Sequence, residues 1–502
     1  MHLLSKKSDR FFCHQIKINF DKEYMSLALT QEEILDRTWD AVVVGSGVGG
    51  ATSAHHLAQQ GKKVLLIEKG PSSSLPEELP LWSDTVCDIN QRTAFRPFLG
   101  EGLGGSSRLY GMVMERLEDT DFQQKGGSWP LSLQDWIPYY KQAEELFQVK
   151  AVSVAEGFTP FLKHMRNQDI NPQALHLSFT GRQDCGFCQS RLCEKNCKVD
   201  AQSGIISPDL KRGLYSVLLN TEVQKIIFDS SQANGVEVRL NHQRQFIKAQ
   251  NIFLGLGALR TPYLLQKSKS ASAPNGLGNS QGLLGKFLMR HFVDLYFLDW
   301  PGSSEIKNHK ALGVYDFYQD KKTNSNLGVF QSFGSLPPIQ YVIEELTNQS
   351  KWLTKVPGFN QVIKLAVNQI FSKHVMASII EDKAHIDNRL IFSESPQVQF
   401  QYKILKEEQE KISRSREIAH KIFSPFLKRV QFVAEDNKRL AHACGTCKMG
   451  DSINDSVVNW DGRLHELENV YIVDSSVFPS SSGKNPSLTI AANAIRTVDR
   501  AS

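Results

Sequence analysis

Residues 439–450 read RLAHACGTCKMG, which sets His442 two positions before a Cys-x-x-Cys pair, Cys444 and Cys447. Three chemistries suit such a cluster: metal ligation by imidazole and thiolate, dithiol exchange, or base catalysis by the histidine with the cysteines incidental. Haem attachment is excluded by order, because that motif needs its histidine directly after the second cysteine. A thioredoxin-like dithiol needs its Cys-x-x-Cys on a helix N-terminus after a strand. A second cluster, CGFCQSRLCEKNCKVDAQS, spaces Cys185, Cys188, Cys193 and Cys197 as C-x2-C-x4-C-x3-C and holds half of the chain's 8 cysteines. Thiols so dense suggest a zinc site or an iron–sulfur cluster, both of which favour thiolates. Packed free thiols, or one or two disulfides, are the alternatives, and the spacing follows none of the common ferredoxin patterns.

A third pattern has its context intact. Residues 40–70, DAVVVGSGVGGATSAHHLAQQGKKVLLIEKG, place Gly45, Gly47 and Gly50 as G-x-G-x-x-G straight after the β-branched run AVVV. A helical stretch through Ala54 and Leu57 follows, then Gly61, then a second strand, KVLLIE. Gly45 permits the tight turn, Gly47 lets the backbone approach a pyrophosphate, and Gly50 lets helix and strand pack closely. Glu68, at the end of the second strand, can accept hydrogen bonds from a ribose hydroxyl and would repel a 2′-phosphate. A dinucleotide is therefore expected. Near the other end, NVYIVD followed by a loop and an amphipathic stretch puts an acid, Asp474, at a strand end beside a helix. That arrangement suits the long ribityl-pyrophosphate chain of FAD, with the site assembled from both ends of the chain.

The elements that must position these residues belong to a large molecule. At 502 residues, the chain is expected to form two or three domains, or one large α/β domain with insertions. A net charge of +5 without long like-charge blocks gives no reason to expect nucleic acid or a charged membrane as partner. No apolar run approaches the length of a membrane span. MHLLSKKSDRFFCHQIKINF lacks an apolar h-region and a cleavage site, so a cytoplasmic protein is expected. Met25 makes a natural start for the folded chain, which would leave residues 1–24 as a poorly ordered extension. His55 and His56, on the first helix, are expected to be structural.

Several segments, in order, resemble the glucose–methanol–choline (GMC) oxidoreductases, a family of FAD enzymes. GEGLGGSSRLYGMVMER is similar to the family's second glycine-rich signature. GSWPLSLQDWIPYYKQAEELF resembles the segment leading into the substrate domain. NTEVQKIIF and NIFLGLGALRTPYLLQKS resemble the strands that return to the FAD domain, and GNSQGLLGKFLMRHF and EDKAHIDNRLIF are partial matches. HACGTCKMGDSINDSVVNWDGRLHELENVYIVDSSVFPSSSGKNPSLTI resembles the C-terminal signature throughout. The resemblance runs from about residue 38 to 502 and is weakest at 151–180 and 300–375.

It implies an α/β fold: a Rossmann-like FAD-binding domain and a discontinuous substrate domain built on an antiparallel sheet with helices. The expected division is an N-terminal extension at 1–37, FAD-binding segments at 38–115, 205–290 and 440–502, and substrate-domain segments at 116–204 and 291–439. The resemblance also implies that Gly104, Gly105, Ser106 and Ser107 run beside the flavin, that Val223 lies near the adenine, and that Asp474 binds the ribityl or diphosphate region. Gly255 and Gly257 would allow close backbone approach near the cofactor. His442 and Asn485 occupy the catalytic positions, so neither Cys444 nor Cys447 is needed for chemistry. His291 and His465 lie inside matched motifs and receive no role. Tyr110 stands where the family usually has asparagine, and its larger phenol would narrow the flavin edge or contact substrate.

The activity implied is oxidation of an alcohol, polyol or sugar by hydride transfer to the flavin. An ordinary alcohol is too weak an acid to ionise alone, so a base must take the hydroxyl proton as hydride leaves. His442 is the candidate base, and Asn485 the donor to the developing alkoxide. The expected partners are a small-molecule alcohol and an external electron acceptor or electron-transfer protein. An iron–sulfur cluster at Cys185–Cys197 would pass electrons outward singly; a zinc ion there would pin a loop. The same fold also serves lyases and decarboxylases, and a non-catalytic flavin electron-relay protein is a further alternative.

Overall fold

The computed structural model describes residues 29–72, 85–95, 97, 99–123, 129–182, 185, 188–240, 242–306, 310–322, 325–333, 358, 361, 374–393, 397–438 and 440–501. The expected extension at 1–24 lies outside them. Residues 29–37, read with that extension, already fold: Gln31–Asp36 is a helix whose N-cap Thr30 exchanges hydrogen bonds with Glu33 in a capping box. Ile34 is buried, and its carbonyl accepts from the Trp39 indole at 3.2 Å.

The glycine pattern is realised as β–α–β. Strand Thr38–Val44 is followed by helix Val48–Gln59 and strand Val64–Ile67. The first strand lies between the second and Gln243–Leu254, parallel to both, with Val42 opposite Leu65 on one side and Ile252 on the other. Ser216–Leu218 and Val470–Ile472 extend the parallel sheet at its two edges. The β-branched runs read in the sequence are thus strands covered on both faces, which is why AVVV does not alternate with polar residues. Strands Glu222–Asp229 and Gln232–Leu240 make an antiparallel meander with the first half of Gln243–Leu254. That long strand therefore serves two partners in succession: the meander, then the C-terminal strand.

A second sheet has six strands in the order Leu427–Gln431, Leu295–Leu298, His374–Ile380, Gly328–Ser332, Leu312–Val314 and Gln173–Ala174, antiparallel throughout. Helix Lys406–Phe423 packs on it through Ile412, Ile418, Ile422 and Phe423. The Phe423 ring lies 5.7 Å from both Tyr296 and Phe330. QVQFQYKI forms the expected half-buried strand at Val398–Gln401. No helix among the described residues is long and apolar enough to cross a membrane.

Tight backbone contacts join the elements of the first sheet. A Cβ on Gly50 would lie 1.9 Å from the Gly45 carbonyl oxygen, and one on Gly49 would lie 1.9 Å from that of Val473. The second contact docks the first helix onto the end of the C-terminal strand, so Gly49 is a packing residue that the G-x-G-x-x-G pattern leaves unmarked. Gly49→Ala is expected to cost about 2–3 kcal/mol, an overpacking penalty against rigid backbone. Gly61→Ala meets no atom within 4 Å at φ +78° and should cost only about 1–2 kcal/mol of left-handed strain. Denaturant midpoints of the two variants, at unchanged slope, test the difference.

Candidate active site

The parallel strands end together. Gly45 N–H donates to the Ile67 carbonyl at 2.8 Å, Gly255 to Val44 at 2.8 Å, and Val473 to Leu254 at 2.9 Å. The loops after these strands rim one crevice, the usual ligand position in an open α/β sheet. Helix Val48–Gln59 starts there with Gly47 as N-cap and no side-chain capping bond, which leaves its first N–H groups to a ligand. The second glycine loop closes over the first: a Cβ on Gly105 would lie 3.2 Å from the Gly47 Cα.

Ser46 links the two loops. Its hydroxyl donates to Glu68 Oε2 at 2.6 Å and accepts from Gly104 N–H at 3.0 Å. Glu68 also accepts from the backbone N–H groups of Ser46 and Gly70, each at 3.0 Å. Burial raises the Glu68 pKa against these donors. Beyond it, Thr221 N–H donates to the Glu68 carbonyl at 3.1 Å, which brings the strand carrying Val223 beside the second strand end. Ser107 donates to the Gly104 carbonyl at 2.6 Å and accepts from Ala201 N–H at 3.0 Å, while Ser106 is exposed and accepts from Gly100 N–H. Glycine-lined walls, uncapped helix donors and an acid at the second strand end fit FAD. No metal is needed for that fit.

Asp474 is buried, and its carboxylate works inside the protein. It accepts from Gly257 N–H at 2.8 Å, Thr261 Oγ1 at 2.6 Å and Ser476 N–H at 2.8 Å. It therefore clamps the Gly255–Gly257 loop to the C-terminal segment, with its pKa raised by burial. Residues 444–449 run alongside that segment. Gly445 N–H donates to Ser475, Cys447 to Ser476 and Met449 to Val477. This pairing holds the stretch that follows His442 against the C-terminal segment. His442 has a left-handed backbone, φ 59°, and its ring is partly exposed.

His442 Nδ1 lies 2.7 Å from His291 Nδ1, with the rings at 81°. His291 Nε2 in turn faces the carbonyl oxygens of Ser481 at 3.0 Å and Ser482 at 2.9 Å. The structure thus gives His291 a place at the site that the sequence reading withheld. Asn485, on the same loop, is partly exposed. Burial, then the neighbouring His291 and Lys310, push the His442 pKa down to about 3, so its imidazole is neutral. Lys310 was also missed by sequence. It is buried, its Nζ lies 2.6 Å from Gln189 Oε1, and burial and Lys198 bring its pKa to about 7. It falls where the family resemblance is weakest, and no pattern marks it.

The remaining candidates are structural. His55 pairs with Asp209 at 2.8 Å, His56 with Asp499 at 2.7 Å, and His465 lies 2.9 Å from Ser456 Oγ. Cys444 and Cys447 are core side chains whose thiol pKa values burial raises. The Tyr110 phenol, expected at the flavin edge or on substrate, donates instead to the Val199 carbonyl at 2.5 Å and ties the second glycine loop to the cysteine-rich segment. There Cys197 Sγ lies 3.1 Å from Cys185 Sγ and 3.4 Å from Cys193 Sγ. Cys188 hydrogen-bonds Cys193, whose pKa is lowered by that bond. The four thiols do meet, yet among the described residues no group of three or more ligands is arranged to hold a metal. Thiolate sulfurs around one tetrahedral zinc stand about 3.7 Å apart, wider than the two spacings seen.

The GMC oxidoreductase family models match residues 39–293 and 376–494, and the chain belongs to that family. It is an FAD-dependent oxidoreductase of the alcohol CH–OH type. It is 24% identical to paromamine 6′-oxidase of Streptomyces fradiae, over 92% of this chain and 91% of that one. It is 23% identical to 2-methyl-1,2-propanediol dehydrogenase of Mycolicibacterium austroafricanum, over 92% and 94%. Among solved structures, pyridoxine 4-oxidase from Mesorbium loti superposes with a TM-score of 0.67 at 18% identity, over 92% of this chain and 99% of that one.

Ser46→Ala removes the bridge between the two glycine loops and leaves Gly104 N–H unpaired. The lost bonds, about 1–2 kcal/mol, should weaken FAD binding about 5–30-fold. Titrating stripped protein with FAD by fluorescence quenching measures it.

Proposed function

We propose that His442 is the base of this alcohol oxidoreductase and that Asn485 donates its amide to the alcohol oxygen. The observation that carries this reading is the contact of His442 with His291, Nδ1 to Nδ1 at 2.7 Å, on a segment that pairs with residues 475–477 next to the Asp474 clamp. Bound FAD supplies the two-electron acceptor for the hydride of the carbinol carbon. The chain's residues do the rest. Gly45, Gly47 and Gly50, with the uncapped helix, receive the diphosphate. Glu68 and Val223 would hold the adenosine end, Gly104–Ser107 would line the flavin side, and Asp474 fixes the Gly255–Gly257 loop. His442 takes the hydroxyl proton while Asn485 stabilises the negative charge that grows on oxygen.

Lys310, near enough to lower the His442 pKa, and its partner Gln189 are polar groups in the same region. A hydrophilic substrate, a polyol or amino sugar, is the proposed class. Relatives named for paromamine and for a propanediol support that class. Electrons leave to an external acceptor, since two-electron reduction must be reversed before a second turnover.

Anaerobic mixing with a panel of polyols, sugars and amino sugars should bleach the flavin. His442→Ala should stay yellow and be reduced about 10²–10⁴-fold more slowly. Turnover without bleaching would identify a lyase instead. With its pKa lowered to about 3, His442 is unprotonated above that value. The reduction rate should therefore show no acid-side loss between about pH 5 and 8; a fall near the ordinary histidine pKa, about 6.5, would count against this environment.

An iron–sulfur or zinc centre at Cys185, Cys188, Cys193 and Cys197 is a separate proposal, supported only by the convergence of the four thiols. It requires the sulfurs to spread around the metal. Iron, acid-labile sulfide and zinc contents after anaerobic purification test it: stoichiometric metal per flavin establishes a centre, and background metal removes it.

A further inference from the structure

His291 is buried and held between two fixed partners. A carbonyl oxygen only accepts, so the Nε2 that faces Ser481 and Ser482 carries a proton. Burial holds the His291 pKa below the ordinary histidine value, and the ring is neutral, with Nδ1 bare. The 2.7 Å contact between the two Nδ1 atoms needs one hydrogen, which His291 cannot supply. It sits on His442, and a neutral imidazole with Nδ1–H has a bare Nε2. We propose that His291 is the positioning residue that sets the His442 tautomer, taking its Nδ1–H and leaving the Nε2 lone pair as the proton acceptor.

The inference rests on the reading of His442 as base. It adds which nitrogen acts and what holds it. The chain runs from fixed carbonyls through one imidazole to the next, so each ring orients the following one. As the alcohol O–H breaks, its proton goes to Nε2 of His442 and the hydride to the cofactor. The positive charge on His442 strengthens its Nδ1–H donation to His291. Two other charges bear on the pair: Glu381 favours a cation on His291, and Lys310 disfavours one on His442. The alternative tautomer, with Nδ1 bare on both rings, would set two lone pairs face to face at hydrogen-bond distance. The crevice nitrogen would then carry a proton and accept none. A histidine left free to choose would spend much of its time in that form.

Two variants separate positioning from packing. His291→Asn keeps an acceptor oxygen near the place of Nδ1, and His291→Leu keeps the bulk without an acceptor. Both are first checked for the wild-type flavin spectrum. The limiting rate of flavin reduction should fall about 10²-fold or more in His291→Leu and return to within about 10-fold of wild type in His291→Asn. The KM should move far less than kcat. A measurement that needs no turnover runs in parallel: ¹⁵N spectra of histidine-labelled protein, with His442 assigned by its Gln variant. Wild type should show a protonated Nδ1 and a bare Nε2 on His442, and His291→Leu a mixture. A protonated, proton-donating Nε2 in wild type overturns the proposal even if every alcohol is inert. So does His291→Leu with wild-type reduction and an unchanged spectrum. If the tautomer is as stated but no alcohol bleaches the flavin, the functional reading fails and this one stands.

Discussion

Everything in this molecule that can hold a cofactor depends on backbone meeting backbone at the carboxyl ends of the parallel strands. Gly50 stands against the Gly45 carbonyl and Gly49 against that of Val473, with no room for a methyl group at either place. These contacts bring the first helix onto two strand ends that are more than 400 residues apart in sequence. The cost is conformational: glycine loses more freedom on folding than any other residue. The return is a crevice whose walls are N–H groups and hydrogens on Cα, narrow enough for a diphosphate and open to the helix N-terminus.

The same crest is tied to the C-terminal segment that lies beside His442. Asp474 binds the Gly257 loop with one oxygen and Ser476 with the other, and residues 444–449 pair with the segment that follows. From the far side, Ser480 donates to Glu381 at 2.9 Å, and Glu381 is paired with buried Lys411 at 3.1 Å. Ser481 is bonded to the backbone of Asp382. The loop that presents Asn485 is thus suspended between the two sheets. Its carbonyls at Ser481 and Ser482 are consequently rigid acceptors, which is the property that makes His291 selective for one proton arrangement.

The parts of the site legible in the sequence were those built from local pattern. The first strand, the glycine turn and Glu68 lie within one β–α–β unit, and their spacing is set by the lengths of a strand and a helix. His442 and Asn485 became candidates through resemblance alone, since nothing in H-x-x-G-T by itself says that a flavin is near. Ser46 hid in plain view as the middle residue of G-S-G, because its partner Gly104 lies 58 residues away. Tyr110 has a contact hidden for a related reason. Its motif position pointed to the flavin edge, but its phenol answers to Val199, a residue only the fold brings close. Lys310 had no signal at all: a lysine in an unmatched stretch reads as surface until burial shows otherwise.

A buried lysine beside a pair of neutral histidines defines the electrostatic problem of the site. With His442 as the proposed base, the reaction would put negative charge on the alcohol oxygen and positive charge on His442 at the same moment. A dry crevice makes both expensive. Lys310, in whatever fraction it is charged, favours the first and opposes the second, and with a pKa of about 7 it is divided between the two forms near neutrality. The His291 carbonyl pair acts in the opposite sense, stabilising positive charge on the imidazoles without adding a counter-ion. Fixed dipoles on one side and a titratable cation on the other therefore bracket the proton transfer. On the proposed reading, the balance between them, more than the basicity of an isolated imidazole, would decide how readily His442 accepts the proton.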